Sequence, residues 1–518
     1  MALWLKRFFN WSKTAFGIVF KKSLLLLYGS PEETEEGPRV EVRERMPTED
    51  ELTLGYAEGY NEETDTYIEQ SKGIDQKDRD RHFYVVGATG SGKTRFLEHL
   101  IQQDICHGRG FGVIDPHGDL VEDVKGWLYF NLLDFRELRS RVILIEPTNP
   151  RATVSFNPLE RIKNVLPETQ AKELVGVFKK IWWDAWGARM EDILRNSLIA
   201  LIENNLTLTE LPLFLTNRLI RKRVLKNVTN KTCLERFEYF DTVRIGTWRE
   251  WIESTLNKVD AFLSDRRIRQ ILTLPKSSFN LRDIMDNRKI ILIKLEKGQL
   301  KDSADLLGSL LLSKIHMAAF SRTDIPPEQR VPFYLYIDEF QNFASESFTD
   351  ILSGARKYKL ALILAHQNLA QVPKELKASI MANCAIQVCF RVSRDDAQIM
   401  AKELMTPLYR QPPGWEINVQ DLQELEDRRC YVKNKIAGGI VKIITPEVPE
   451  PWRVSAQAPG VLDGSTPETF RKSVEEARIG ADYLIDRKKI EREYNKKYKK
   501  LSICEEPKTF REPKRKRL

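Results

Sequence analysis

Short apolar runs punctuate the chain, separated by stretches in which apolar residues return every third or fourth position. The runs are Phe83-Tyr-Val-Val86, Gly110-Phe-Gly-Val-Ile-Asp115, Val142-Ile-Leu-Ile145, Ile290-Ile-Leu-Ile293, Val331-Pro-Phe-Tyr-Leu-Tyr-Ile337, Leu360-Ala-Leu-Ile-Leu364 and Ile386-Gln-Val-Cys-Phe390. Each has the length and apolar density of a strand buried on both faces. After the first of them, Phe96, Leu97, Leu100 and Ile101 recur at helical spacing. Strands that alternate with helices predict an α/β fold with a mostly parallel sheet, its ligand site at the carboxyl ends of the strands. From about Glu168 to Thr273 the pattern is helical and rich in Leu, Ile and Trp, with few strand signals, which predicts an all-α insertion. The expected organisation is a first half of the α/β domain at 81–160, the insertion at 161–280 and a second half at 281–445.

Between the first strand and its helix stands Gly87-Ala88-Thr89-Gly90-Ser91-Gly92-Lys93-Thr94, which fills every fixed position of the phosphate-loop pattern G-x-x-x-x-G-K-[ST]. Its backbone N–H groups and the helix N-terminus form an anion cradle. Lys93 reaches for the β- and γ-phosphates, and the Thr94 hydroxyl is suited to Mg²⁺. The expected ligand is a nucleoside triphosphate with Mg²⁺. The strand 331–337 runs into Asp338-Glu339. A carboxylate at that strand end holds the metal side, and the next one polarises the attacking water, so Asp338 is the metal-side acid and Glu339 the general base. A helix is expected from about Phe343 to Lys357, with Arg356 at its outward end. Gln367, at the tip of the strand 360–364, is placed to sense the γ-phosphate. Arg356 faces outward and could serve a neighbouring subunit's nucleotide in a ring.

Composition and charge frame this site. A chain of 518 residues, 42% apolar and 30% charged, can hold about three domains. Its six cysteines include no C-x-x-C pair, which argues against a disulfide framework or a zinc site and fits a reducing cytoplasm. The net charge of +8 is unevenly spread. Residues 1–30 hold five bases and no acid, 31–80 seventeen acids against six bases, and 471–518 seventeen bases against nine acids. Residues 31–80 therefore read as an acidic lead-in linker with few packed contacts, and 446–518 as a basic, partly disordered tail. Met1 to Tyr28 is basic, aromatic and amphipathic, without about 18 uncharged residues in a row. It reads as an interfacial or partner-binding segment, which predicts a cytoplasmic protein held peripherally at the membrane. Arg218-Leu-Ile-Arg-Lys-Arg223, Lys496-Lys-Tyr-Lys-Lys500 and Pro513-Lys-Arg-Lys-Arg517 are basic clusters, either nucleic-acid contacts or solvated faces. His117 and His366, without paired spacing, read as hydrogen-bonding positions around the site.

Taken with Asp115-Pro-His-Gly-Asp119, Phe156-Asn-Pro-Leu159, Trp186-Gly187, Arg195-Asn196, Asp338-Glu-Phe340, Gly354-Ala-Arg-Lys357 and Ala365-His-Gln367, the phosphate loop resembles the TraG/TraD-type coupling ATPases of type IV secretion and conjugation, within the FtsK/HerA group. The resemblance spans about residues 80–445. It implies a RecA-like P-loop NTPase domain with an all-α insertion, ATP hydrolysis, assembly as a hexamer, and translocation of DNA or a protein–DNA complex. It also implies that Arg356 is a trans-acting arginine. The chain departs from the family pattern at its N-terminus, where members usually carry transmembrane helices. Leu352-Ser-Gly-Ala355 is too short and too late for an ABC signature, and motifs of a kinase or GTPase are not found. The competing readings are a secretion ATPase that moves protein, a HerA-like DNA-processing translocase, and a scaffold that binds ATP as a switch.

Overall fold

The computed structural model describes residues 41–43, 50–61, 66–131, 134–345, 348–404, 414–453 and 466–502. Two compact units emerge, one of Met1–Glu146 with Asn280–Tyr483 and one of Pro147–Phe279 with Leu484–Leu518. The first is built on strands β1 (Glu41–Arg43), β2 (Glu51–Asn61), β3 (Thr66–Asp75), β4 (Phe83–Val86), β5 (Gly110–Asp115) and β6 (Val142–Ile145). After β7 (Ala152–Thr153), which lies in the second unit, it resumes with β8 (Ile290–Lys294), β9 (Phe333–Ile337), β10 (Leu360–His366), β11 (Ile386–Cys389), β12 (Arg429–Asn434) and β13 (Gly439–Ile444).

These twelve strands form one sheet in the order β1-β3-β2-β13-β12-β11-β4-β10-β9-β5-β8-β6. The block from β11 to β6 is parallel throughout. Its strands are the short apolar runs of the sequence, and β4, β5, β6, β9, β10 and β11 are buried at every position. Helices on both faces remove the sheet from water, so the alternation of an amphipathic strand has no place here. β12, β13 and β2 extend the sheet antiparallel. The result is the expected α/β class: a large, mostly parallel sheet with an all-α region on a second unit.

Three expectations are corrected. The acidic lead-in is not a loose linker between 50 and 80: β2 and β3 pair over ten positions and join the sheet, with Leu52, Leu54 and Ile74 buried in its core. Net charge obscured an alternation that places apolar side chains on one face of the hairpin. Nor is the C-terminal tail loose over residues 466–502. A helix Pro467–Glu476 buries Phe470 and Val474, and Phe470 packs edge-on to Tyr129 at 5.8 Å. A further helix, Arg487–Ser502, belongs to the second unit, where β14 (Ile485–Asp486) pairs with β7. Ile490 on it is fully buried, and Arg487 donates to Gln270 at 2.6 Å. The helix expected over Phe343–Lys357 is also shorter, Phe348–Gly354, followed by a 3₁₀ turn Ala355–Tyr358.

The second unit is helical, with helices at Pro167–Ile181, Ala188–Glu203, Lys231–Thr242 and Ile245–Ser264 among others. It splits the basic cluster 218–223. Arg221 is buried, donates to Asp241 at 2.9 Å and stacks over Trp248 at 5.1 Å, whereas Lys222 and Arg223 are exposed. Among the described residues no helix is long and apolar enough to cross a membrane. Residues 1–28 and the cluster 513–517 lie outside the described residues.

Candidate nucleotide site

The site is assembled at the carboxyl edge of the parallel strands. β4 lies between β10 and β11, so the loop that follows it emerges with a neighbour on either side. The Gly87 N–H donates to the His366 carbonyl at 3.3 Å, and the Ala88 N–H to the Arg391 carbonyl at 2.8 Å. The helix Lys93–Cys106 starts directly after the loop, with Gly92 as its N-cap at φ 102° and ψ −1°. Only glycine adopts that conformation cheaply. It has a second reason to be glycine, since a Cβ there would stand 3.2 Å from the Arg428 backbone. Loop and helix N-terminus thus present their N–H groups as an anion cradle.

Lys93 is the only loop cation, and it is 5% exposed. Its Nζ lies 2.8 Å from Glu339 Oε1 and 3.9 Å from Asp338 Oδ1. Asp338 and Glu339 follow β9 immediately, and Glu339 has a left-handed backbone at φ 46° and ψ 50°. That turn sends neighbouring carboxylates to different surroundings. Burial pushes Asp338 up to about 6; Lys93 pulls it down while Glu339 and Asp115 push it further up. Burial also acts to raise Glu339, but Lys93 with hydrogen bonds from Gln341, Lys93 and Gln367 outweighs it, leaving Glu339 below the usual carboxylate range. One acid is poised near neutrality and its neighbour stays ionised, the separation that lets two carboxylates do different work.

Gln367 follows β10 and joins the two halves of the site. Its Oε1 accepts from the Thr89 hydroxyl at 2.8 Å, and its amide bonds Glu339. His366 is buried at the last position of β10, 2.5 Å from the Tyr84 hydroxyl on β4 and edge-on to Phe340 at 5.1 Å. Burial, with Lys93 nearby, pushes it down to about 4, so it is neutral and acts as a hydrogen-bonding wedge. Asp115, at the end of β5, accepts from the N–H groups of His117, Gly118 and Val121 at 2.8, 2.8 and 3.0 Å. Its role is to fold the Pro-His-Gly turn into the helix Asp119–Asn131.

Lys93, Asp338, Glu339, Gln367 and Thr89 are therefore gathered in one place, with Thr94 half-buried on the first turn of the helix. Arg356 is not among them. It is exposed in the 3₁₀ turn that precedes β10, while Gln367 follows that strand. Seven strand residues, roughly 20 Å, separate the two ends. The sequence assigns Tyr84 no role beyond the strand 83–86 and does not single out Arg428; neither carries a motif, and only the pairing of distant strands brings His366 against Tyr84 and Arg428 against the loop. The oxygen donors Thr94 and Asp338 suit Mg²⁺, which takes one or two carboxylates and completes its shell with water and substrate phosphates. Among the described residues no group of three or more His, Cys, Asp or Glu stands where it could hold a metal ion.

The family described as type IV secretion-system coupling protein DNA-binding domain matches residues 73–406. Among solved structures, plasmid coupling protein TrwB with the GTP analogue GDPNP is 17% identical, covering 73% of this chain and 88% of that one with a TM-score of 0.47. TrwB with ADP and Mg²⁺ gives 17% identity, 73% and 87% coverage and a TM-score of 0.47. VirB4 of Thermoanaerobacter pseudethanolicus is 12% identical over 77% of this chain and 97% of that one, with a TM-score of 0.51, a likeness of fold. No curated protein matches the chain.

Proposed function

The chain belongs to the type IV secretion-system coupling proteins, and from that membership we propose that it is an ATP-driven motor which couples hydrolysis to the movement of DNA, or of a protein–DNA complex, toward a secretion channel. The observation that carries the catalytic half is the convergence of Lys93, Glu339 and Gln367, with Lys93 Nζ at 2.8 Å from Glu339 and Gln367 bonded to both Thr89 and Glu339. A lysine of this loop reaches the γ-phosphate, so a carboxylate one hydrogen bond from it borders the space an attacking water would occupy.

In this reading Gly87 to Thr94 bind the phosphates, and Lys93 neutralises the terminal one. Glu339, ionised and fixed by Gln341 and Gln367, orients water and accepts its proton as ADP departs. Gln367 is tied to the loop through Thr89 and to the base directly, so loss of the γ-phosphate is felt at β10. Thr94 and Asp338 would hold Mg²⁺, which supplies charge neutralisation on the phosphates. The first unit is the motor core. The helical second unit is the part that meets cargo. Arg356, exposed and remote from its own chain's loop, acts in a neighbouring subunit of a hexameric ring, and residues 1–28 dock the assembly to a membrane or a membrane partner.

Two variants test the catalytic assignment. Lys93→Ala is expected to lose nucleotide binding and turnover. Glu339→Gln should bind ATP with near-normal affinity while turnover falls about 10²–10⁴-fold. Equal loss of ATP binding in both variants would contradict the base assignment.

A further inference from the structure

The phosphate loop is braced from the β11–β12 side by two arginines. Arg391, just past β11, offers its carbonyl to the Ala88 N–H at 2.8 Å, and its guanidinium is engaged by Asp427 at 2.9 Å and the Leu425 carbonyl at 3.3 Å. Arg428, just before β12, is used differently. Its N–H donates to the Ser91 carbonyl at 3.0 Å, and its own carbonyl accepts from the Thr445 N–H at 2.9 Å and the Thr445 hydroxyl at 3.2 Å. Both backbone groups are thus fixed, and the residue is held at φ 68°.

A side chain in this left-handed region costs on the order of 1–2 kcal/mol, which a glycine would avoid. The side chain that stands there lies on the loop itself: the Cβ position of Gly92 is 3.5 Å from Arg428 Cγ. Its side chain is 42% exposed and, among the described residues, its guanidinium meets only Glu447, at 3.5 Å, whose side chain is 84% exposed. A pair that long and that open to water contributes almost nothing. The arrangement is a cation on a fixed backbone beside an anion cradle, with no strong partner among the described residues to hold it elsewhere. Arg356 cannot fill that role within one chain, because it lies at the opposite end of β10.

We propose that Arg428 is a nucleotide-binding residue whose guanidinium contacts the α- and β-phosphates of a nucleotide seated on the Gly87–Thr94 loop. The proposal rests on the reading of that loop as a nucleoside triphosphate site. A planar fork of donors suits a diphosphate, and the backbone clamp fixes the point from which the side chain reaches.

The test is calorimetric titration of the full chain with ADP and with ATP, for wild type and for Arg428→Gly, Arg428→Gln and Arg428→Lys. Glycine keeps the left-handed backbone without strain while removing the whole side chain, and glutamine keeps the Cβ–Cγ stem while removing the charge, so the pair separates a steric role from an ionic one. The expected result is a Kd for ADP and ATP raised alike, roughly 10-fold or more, in the Gly and Gln variants. The Lys variant should recover a substantial part. Wild-type affinity in Arg428→Gly would overturn the proposal, and so would a loss confined to ATP, which would put the contact on the γ-phosphate. Failure of the wild-type protein to bind either nucleotide would instead overturn the nucleotide reading on which the proposal rests.

Discussion

Asp338 and Glu339 are adjacent in sequence and opposite in electrostatic character. Asp338 is raised to about 6, first by burial, while Lys93 and its hydrogen-bonding neighbours hold Glu339 low despite burial. The folded state therefore binds the Asp338 proton more tightly than the unfolded chain does, and between pH 4 and 6 stability from this group falls as pH rises. Asp338→Asn removes that dependence. The nucleotide-free wild type is expected to lose of order 2–3 kcal/mol against the variant across this window, read as the difference in urea midpoint at pH 4.5 and pH 7. A pH-independent difference would contradict the assignment. At this scale the phosphate loop, Asp338, Glu339 and Gln367 were legible in the sequence, because a glycine pattern and carboxylates after an apolar run are local signals. Tyr84, which meets His366, and Arg428, which clamps Ser91, were not legible, since their neighbours are 282 positions away in the first case and lie across a strand pairing in the second.

At the scale of elements, the seven parallel strands were legible as uninterrupted apolar runs. The β2–β3 hairpin was not, because seventeen acids between 31 and 80 dominate its composition and only a period-two pattern marks it. Its continuation carries a buried charge network. Arg79 is fully buried, bonds both carboxylate oxygens of Asp104 at 2.6 Å, donates to the Tyr336 hydroxyl and stacks 3.6 Å over the Tyr334 ring. Asp104 is on the helix that starts at Lys93, and Tyr336 is on β9, so one guanidinium ties the loop helix to the strand that ends in Asp338. Removing one partner strands the other charge in the core. Arg79→Ala and Asp104→Ala are each expected to cost about 3–5 kcal/mol in denaturant unfolding, whereas the paired replacement Arg79→Met with Asp104→Leu should recover much of it. Single variants as stable as wild type would show that the network is solvated.

For the whole molecule, the proposed motor makes assembly a matter for experiment. Arg356 is exposed at the amino end of β10, away from its own chain's loop. Arg356→Ala should therefore leave ATP affinity of the monomer unchanged and lower hydrolysis in the assembled form by about 10³-fold or more if the side chain completes a neighbour's site. An unchanged rate in the assembly would remove that role. Deleting residues 1–28 should release the protein from anionic vesicles or a membrane partner while ATPase activity persists; equal binding by the shortened chain would place the anchor elsewhere. If the cargo is DNA, the proposed motor would meet it through exposed charge. Lys222 and Arg223 are exposed on the helical unit, although Arg221 beside them is committed to Asp241, and contacts to phosphates weaken steeply with salt. The most direct test of the motor account is ATP hydrolysis by the purified full chain without DNA, with single-stranded DNA and with duplex DNA at one moderate salt concentration, using Lys93→Ala as the blank. The account predicts turnover that rises severalfold with DNA and falls back as salt is increased, whereas robust hydrolysis indifferent to both forms of DNA would contradict it.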